Sequence, residues 1–72
     1  MPHEVHAEMV ANVWKVVVAR GDPVAAGDTL VILESMKMEI PVLAERPGTV
    51  AEVAVDEGVV VQEGDLLVVL DG

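Results

Sequence analysis

Hydrophobic residues in this chain fall into short runs of Val, Leu and Ile, and most of these runs end at a glycine or a proline. Aliphatic and β-branched runs of this length favour strands. The Ala25-Ala26 pair is too short for a helix and is bounded by Pro23 and Gly27, so we predict no helix. The predicted strands are Glu4–Val10, Asn12–Ala19, Thr29–Ser35, Met38–Leu43, Thr49–Val55 and Leu66–Asp71, with shorter pieces around Val24 and Val61.

Two positions disturb the regular alternation of a strand. Val16 and Val18 share one face, whereas Val13 falls on the other, so we expect a bend or bulge near Trp14-Lys15. Pro41 has no N–H group to donate, so its strand should lie at a sheet edge or be locally irregular.

An internal repeat organises the pattern. Residues 13–34 align without gaps with residues 50–71 at an offset of 37, and 10 of the 22 aligned positions are identical. The matches include glycines that permit unusual backbone conformations, together with the Gly-Asp pairs at 27–28 and 64–65. A duplicated set of short strands predicts two similar half-sheets, related by an approximate two-fold axis and packed as a sandwich or flattened barrel. The segment Ser35 to Thr49 then holds a hairpin without a counterpart, and Lys37 lies at its tip.

Length and composition limit the class of protein. With 72 residues, the chain has room for one domain, residues 1–72, whose small size is offset by a hydrophobic content of 53%. The lack of cysteine excludes a disulfide scaffold, a cysteine zinc site and a cysteine nucleophile, and it fits a reducing compartment. We see no signal peptide and no apolar run of the roughly 18 residues that a membrane span needs, so a cytoplasmic location is expected.

Charge excludes some partners. The net charge of −9 repels nucleic acid and anionic membranes. It suits a partner with a basic docking face, although solubility alone also explains an acidic surface. With Trp14 as the single aromatic residue, the chain offers no aromatic platform for bases or sugars.

The predicted hairpin tip breaks a local rule. Its two strands are joined by Met36 and Lys37, without the glycine or asparagine that two-residue turns prefer. Such a conflict often marks function, but a continuous bent strand or a turn held by packing would also explain it. The flexible stem of Lys37 adds reach, and its amine can be acylated once it is deprotonated. Met36 and Met38 would adapt to an apolar partner surface, yet core packing is the favoured interpretation for each methionine alone.

The run Glu34-Ser35-Met36-Lys37-Met38-Glu39 resembles the biotinyl/lipoyl attachment domains, specifically the biotin carboxyl carrier branch, whose mark is Glu-Ala-Met-Lys-Met. Ser35 replaces the usual alanine, and Asn12 stands where glycine is common. The resemblance spans about Glu8 to Leu70, because the Gly-x-x-Val-x-x-Gly-Asp-x-Leu pattern occurs on both sides of the lysine. The protruding thumb of some bacterial acetyl-CoA carboxylase carriers is missing, which leaves the carboxyl acceptor open.

The resemblance implies an all-β flattened barrel or sandwich of two four-stranded antiparallel sheets. It implies that a biotin protein ligase attaches biotin covalently to Lys37, recognising Glu34, Ser35, Met36 and Met38. The biotin would carry a carboxyl group from a biotin carboxylase to a carboxyltransferase. Both active sites would lie in those partners, so no catalytic residue is expected in this chain.

Three other functions compete with this hypothesis. A lipoyl carrier of a 2-oxo acid dehydrogenase complex has the same fold, but Asp-Lys-Ala usually surrounds its lysine. An unmodified adaptor domain commonly lacks the tip lysine and has a long helical insertion, and neither feature is seen here. His3-Glu4-x-His6 suggests a metal site, but residues three apart on a strand point to opposite faces, so we expect no metal there.

Overall fold

The computed structural model describes residues 2–72, which form eight strands. Within these residues no helix is long and apolar enough to cross a membrane. The strands are β1 (Pro2–His6), β2 (Ala11–Val16), β3 (Pro23–Val24), β4 (Thr29–Ser35), β5 (Met38–Leu43), β6 (Gly48–Val53), β7 (Val60–Val61) and β8 (Leu66–Asp71).

The strands pair into two four-stranded antiparallel sheets, in the orders β1-β8-β6-β3 and β5-β4-β2-β7. The predicted all-β sandwich is therefore confirmed. The molecule measures 33 × 18 × 17 Å, so the sandwich is about twice as long as it is wide. Each sheet has two inner strands, and β4 and β8 occupy equivalent inner places in the two sheets.

The core consists of aliphatic side chains alone. In the part of the chain that the structure describes, no polar or charged residue is buried. Strands β4 and β8 contribute most of the fully buried volume. Alternate residues face the opposite sheet, and a break in the pairing register at Leu30 and at Leu67 buries two consecutive residues in each strand. Six core residues on these strands are no more than 2% exposed: Leu30, Val31, Leu33, Leu67, Val68 and Leu70.

The bounds of β4, β5 and β8 are the predicted ones. The prediction of Glu4–Val10 is wrong, because β1 ends at His6 and the next backbone N–H, from Ala7, donates to the carbonyl of Asp65 at 2.8 Å. The strands that contain Val16 and Val53 also end earlier than predicted. Val18 and Val55, which follow them, still pack on the core, so hydrophobicity does not reveal where the strands end.

Two irregularities are confirmed. The pairing of β2 with β4 shifts between Val13 and Lys15, which is the bulge expected from the alternation. Pro41 lies on β5, an edge strand of its sheet, where its missing N–H leaves no ladder bond unmade.

The two-fold relation extends further than the sequence indicated. Among residues 2–72, the fourteen backbone hydrogen bonds outside the strand ladders form seven pairs related by the offset of 37. For example, the N–H of Ala44 donates to Asp28 at 2.8 Å, as Ala7 donates to Asp65. Thus β5 is the counterpart of β1. The strands β8 and β1 lie at opposite ends of the chain and no turn joins them, so the β4–β5 hairpin has a duplicated pair of strands but no duplicate turn. The sequence does not show this wider repeat, because few residues of β1 and β5 are identical.

The Gly-Asp turns show why this dipeptide recurs. Gly27 and Gly64 both have a φ of +92°, in the left-handed region that glycine adopts without strain. The Oδ2 atom of the following Asp28 accepts a hydrogen bond from the N–H of Ala25, three residues back, at 2.8 Å. Asp65 forms the equivalent bond at the same distance. Each Gly-Asp pair therefore closes a turn that feeds a central strand.

Candidate functional site

A two-residue turn joins β4 to β5, with Ser35 paired to Met38 across it. The turn residues, Met36 and Lys37, have φ values of +52° and +66°. Within residues 2–72 they are the only non-glycine residues with positive φ. This backbone suits the right-handed twist of the flanking strands, but it costs L-residues about 1–2 kcal/mol each. The structure therefore has a tight, strained turn here, and not a continuous bent strand.

Both methionines beside Lys37 lie on the surface. Met36 is 91% exposed and Met38 is 64% exposed, so core packing, the favoured interpretation for each methionine alone, is wrong. The reason is that the hairpin extends past the end of the sandwich. The core begins farther down the hairpin, where buried Leu33 pairs with half-buried Ile40.

Two carboxylates face each other at the base of the tip. Glu34 and Glu39 are direct cross-strand partners, one half-buried and the other exposed. Like charges in this arrangement destabilise a sheet. The strained turn and this pair of like charges both lower the local stability of the hairpin end. The acidic pair also presents negative charge to any partner that approaches Lys37.

The amine of Lys37 is presented to solvent. Among the described residues, no carboxylate lies within 4 Å of its Nζ atom, and it makes no hydrogen bond. The arrangement can offer a lysine side chain for acylation by another protein.

The two N-terminal histidines have different contacts. His6 hydrogen-bonds through Nδ1 to the carbonyl of Gly64 at 3.0 Å and through Nε2 to Glu4 at 3.1 Å. His3 is half-buried, and its Nε2 has no hydrogen-bond partner. Within residues 2–72, no three potential ligands converge on a metal position.

Replacing Met36 with asparagine tests the strain in the turn. Asparagine tolerates the left-handed region better than methionine, and little apolar burial is lost at so exposed a position. We expect Met36→Asn to raise the free energy of unfolding by about 1 kcal/mol. The matched control is Met38→Asn, which lies on a strand where asparagine is unfavourable. Urea unfolding of both variants measures the difference, and a gain at position 38 but not at 36 would contradict the strain argument.

The chain is similar to proteins of one known family. A family model described as a biotin-requiring enzyme, the biotin/lipoyl model, matches residues 1–70. The biotinylated protein TB7.3 homolog of Mycobacterium leprae is 56% identical over 70 residues, which cover 97% of this chain and 99% of that protein.

Two solved structures show the same fold. The urea carboxylase of Kluyveromyces lactis matches with a TM-score of 0.92 and 37% identity, over 99% of this chain but only 6% of that enzyme. The lipoyl domain of the 2-oxoglutarate dehydrogenase complex of Azotobacter vinelandii matches with a TM-score of 0.82 and 28% identity, over 96% and 95% of the two chains.

Proposed function

Because the chain belongs to the biotin/lipoyl attachment family, we propose that Lys37 carries a covalently bound biotin and that the domain is a biotin carboxyl carrier. The observation that carries this proposal is the exposed lysine on a strained two-residue turn, bracketed by two exposed methionines. The domain itself would be non-catalytic. It would work as a carrier within a biotin-dependent carboxylase.

The chain's residues fit the group. Attachment needs an amine that is free of competing contacts and accessible to an enzyme, and Lys37 meets both conditions. The other lysine, Lys15, lies on β2 with its ammonium 5.8 Å from the centre of the Trp14 ring, where a cation–π contact holds it. The fold thus distinguishes the two lysines by position.

The attachment step is an acyl transfer. The deprotonated Nζ of Lys37 would attack the acyl carbon of biotinyl-adenylate, an amide would form, and AMP would leave with the bonding electron pair. Since Lys37 has no hydrogen-bond partner among residues 2–72, a biotin protein ligase would have to accept the proton. Lys37 would hold the biotin, which when bound would supply a carrier for a carboxyl group between a biotin carboxylase and a carboxyltransferase.

We assign recognition by the ligase to the residues around the lysine. Met36 and Met38 would supply flexible apolar contacts, and their exposure supports this role. Glu34 would present its carboxylate to a basic surface. Ser35 is small and half-buried, so its side chain would leave space for the ligase beside the turn.

A lipoyl carrier is the second candidate. The likeness to the lipoyl domain shows that the fold does not decide between the two acyl groups. The residues beside the lysine favour biotin, because Met36 and Met38 match the biotin carrier motif. The biotinylated relative, which the chain matches over nearly its full length, supports the same choice.

The intact mass of the protein tests the proposal directly. The protein is expressed with a biotin protein ligase and, in parallel, with a lipoate ligase, and each product is mapped by peptide digestion. We expect one biotinoyl group, on the peptide that contains Lys37. No gain in mass with the biotin ligase, or efficient lipoylation instead, would overturn the assignment.

A further inference from the structure

Two thioether sulfurs lie beside the attachment lysine at the exposed end of the hairpin. Met36 is 91% exposed and Met38 is 64% exposed. They precede and follow Lys37 in the chain, and Met38 is paired with Ser35 across the turn. Acyl transfer to the amine makes no use of the reactivity of these sulfur atoms, which is therefore open to another role.

Methionine is the residue type through which this chain can respond reversibly to an oxidant. The sequence contains four methionines and no cysteine, so thiol chemistry is excluded. Oxidation of a thioether requires access of the oxidant to the sulfur atom. Access favours Met36 and Met38 over Met9, which is 37% exposed. The structure therefore directs oxidation to the two methionines that flank the lysine.

Oxidation at these two positions is compatible with the folded domain. A methionine sulfoxide disrupts a core because it places a polar group among apolar side chains. The hairpin tip extends past the core, which begins where Leu33 pairs with Ile40. An oxygen added to Met36 or Met38 therefore meets solvent. The modification changes the surface that a partner contacts and not the packing of the sheets.

The sulfoxide removes the property that suits these side chains to an apolar partner. A thioether is flexible and apolar, whereas a sulfoxide carries a polar S–O bond whose oxygen accepts hydrogen bonds. An apolar surface that covers this oxygen removes its water without replacing the hydrogen bond. The paired carboxylates of Glu34 and Glu39 already place acceptors at the base of the tip. Added oxygens increase the number of acceptors that a partner must satisfy.

We propose that Met36 and Met38 form a redox-sensitive site, and that their oxidation to sulfoxides by a peroxide blocks the attachment of biotin to Lys37. The proposal rests on the biotin carrier function and on the contacts that the two methionines make with the ligase. Because the site acts on recognition, the oxidised carrier stays folded but does not receive biotin. Loading of the carrier thereby depends on the supply of peroxide.

The oxidation and its reversal are both two-electron steps. A lone pair of the thioether sulfur attacks one oxygen of hydrogen peroxide, so that an S–O bond forms and the O–O bond breaks. The leaving hydroxide takes the electron pair of the O–O bond, gains the proton of the transferred oxygen and departs as water. In the reverse step a methionine sulfoxide reductase restores the thioether. Two thiols are oxidised to a disulfide, and the sulfoxide oxygen leaves as water.

The rate of biotin attachment before and after peroxide treatment tests the redox-sensitive site. Protein without biotin is treated with hydrogen peroxide, catalase destroys the excess, and peptide mass spectrometry locates each added oxygen before the ligase is introduced. We expect oxygen at Met36 and Met38 before Met9. We expect an initial rate at least about tenfold below that of the untreated protein. A methionine sulfoxide reductase with a thiol should restore the rate.

Leucine supplies a matched control, because it keeps an apolar side chain of similar size and contains no sulfur. The double variant Met36→Leu with Met38→Leu retains Met1 and Met9. We expect peroxide to leave its rate unchanged relative to its own untreated rate, whereas Met9→Leu should slow as much as the unaltered protein. The reductase experiment uses the unaltered chain, so it decides the question even where a leucine variant is a poor ligase substrate.

The untreated protein separates failure of this proposal from failure of the carrier function. If the untreated protein gains no biotin, the carrier function is wrong and this proposal falls with it. If the untreated protein is loaded, and protein oxidised at both Met36 and Met38 is loaded at the same rate, the redox-sensitive site alone is overturned. Equal slowing of the double leucine variant, or unfolding of the oxidised protein in circular dichroism, would also overturn it.

Discussion

Substitution of Lys37 by arginine is expected to abolish biotin attachment completely. Arginine keeps the positive charge and the long stem, but its guanidinium stays protonated and is not acylated. The change tests the amine alone, because the side chain at this position is exposed and makes no hydrogen bond or ion pair within residues 2–72. Co-expression with the ligase, followed by intact mass and avidin blotting, measures the outcome.

Lys15→Arg is the matched control for this experiment. These are the two lysines of the chain, and Lys15 stacks near Trp14 on β2 instead of projecting from a tip. We expect Lys15→Arg to be biotinylated to the same extent as the unaltered protein. If Lys37→Arg still gains a biotinoyl group, or if Lys15→Arg loses it, the assignment of the site is wrong.

A stricter form of the same prediction tests the geometry of the turn. The double change Met36→Lys with Lys37→Met moves the amine by one residue and keeps the composition of the tip. Because the two turn positions have different backbone orientations, the amine would meet the ligase displaced by several ångströms. We expect attachment to slow by at least about tenfold, as misplacement of a reacting group commonly does. Attachment at the original rate would show that an exposed amine is enough for the ligase, whichever turn position carries it.

Much of the site was predictable because its signals are local. Strands β4 and β5 show apolar runs bounded by turn residues, and their bounds are predicted correctly. The conflict between a two-residue connection and the residues Met36 and Lys37 was visible from turn chemistry. In the structure this conflict appears as positive φ angles at two residues that are not glycine. The assignment of biotin to Lys37 came from the motif, and it remains a proposal.

The features that escaped prediction depend on where one sheet ends relative to the other. Met36 and Met38 have the hydrophobicity of core residues, and no local pattern shows that the second sheet stops before it reaches them. The end of β1 is hidden for a related reason: Ala7 remains buried after the strand has ended.

Truncation of either central leucine is expected to destabilise the domain strongly. Leu30 on β4 and Leu67 on β8 are related by the two-fold, and both are 0% exposed. Leu→Ala at a buried site costs about 2–5 kcal/mol, from lost transfer free energy and the cavity that remains. A domain of this size has little stability to spare. We therefore expect each variant to be largely unfolded or to unfold at much lower urea concentration, as measured by circular dichroism.

The two-fold makes this prediction quantitative. If the two halves pack equivalently, Leu30→Ala and Leu67→Ala should lower the free energy of unfolding by amounts within about 1 kcal/mol of each other. Val60→Ala, at a position 63% exposed, should change it by no more than about 0.5 kcal/mol. A large effect at Leu30 with almost none at Leu67 would contradict the equivalence of the halves.

Biotin attachment should follow stability in both leucine variants, even though Leu67 lies in the sheet that does not carry Lys37. The strained turn persists only because the ladder between β4 and β5 is held against the opposite sheet. Loss of packing in either half of the core should therefore destabilise the same turn between β4 and β5. The rate of attachment without urea should fall in proportion to the folded fraction of each variant, which circular dichroism measures separately. Attachment that persists in the unfolded chain would show that the ligase reads the motif without its backbone geometry.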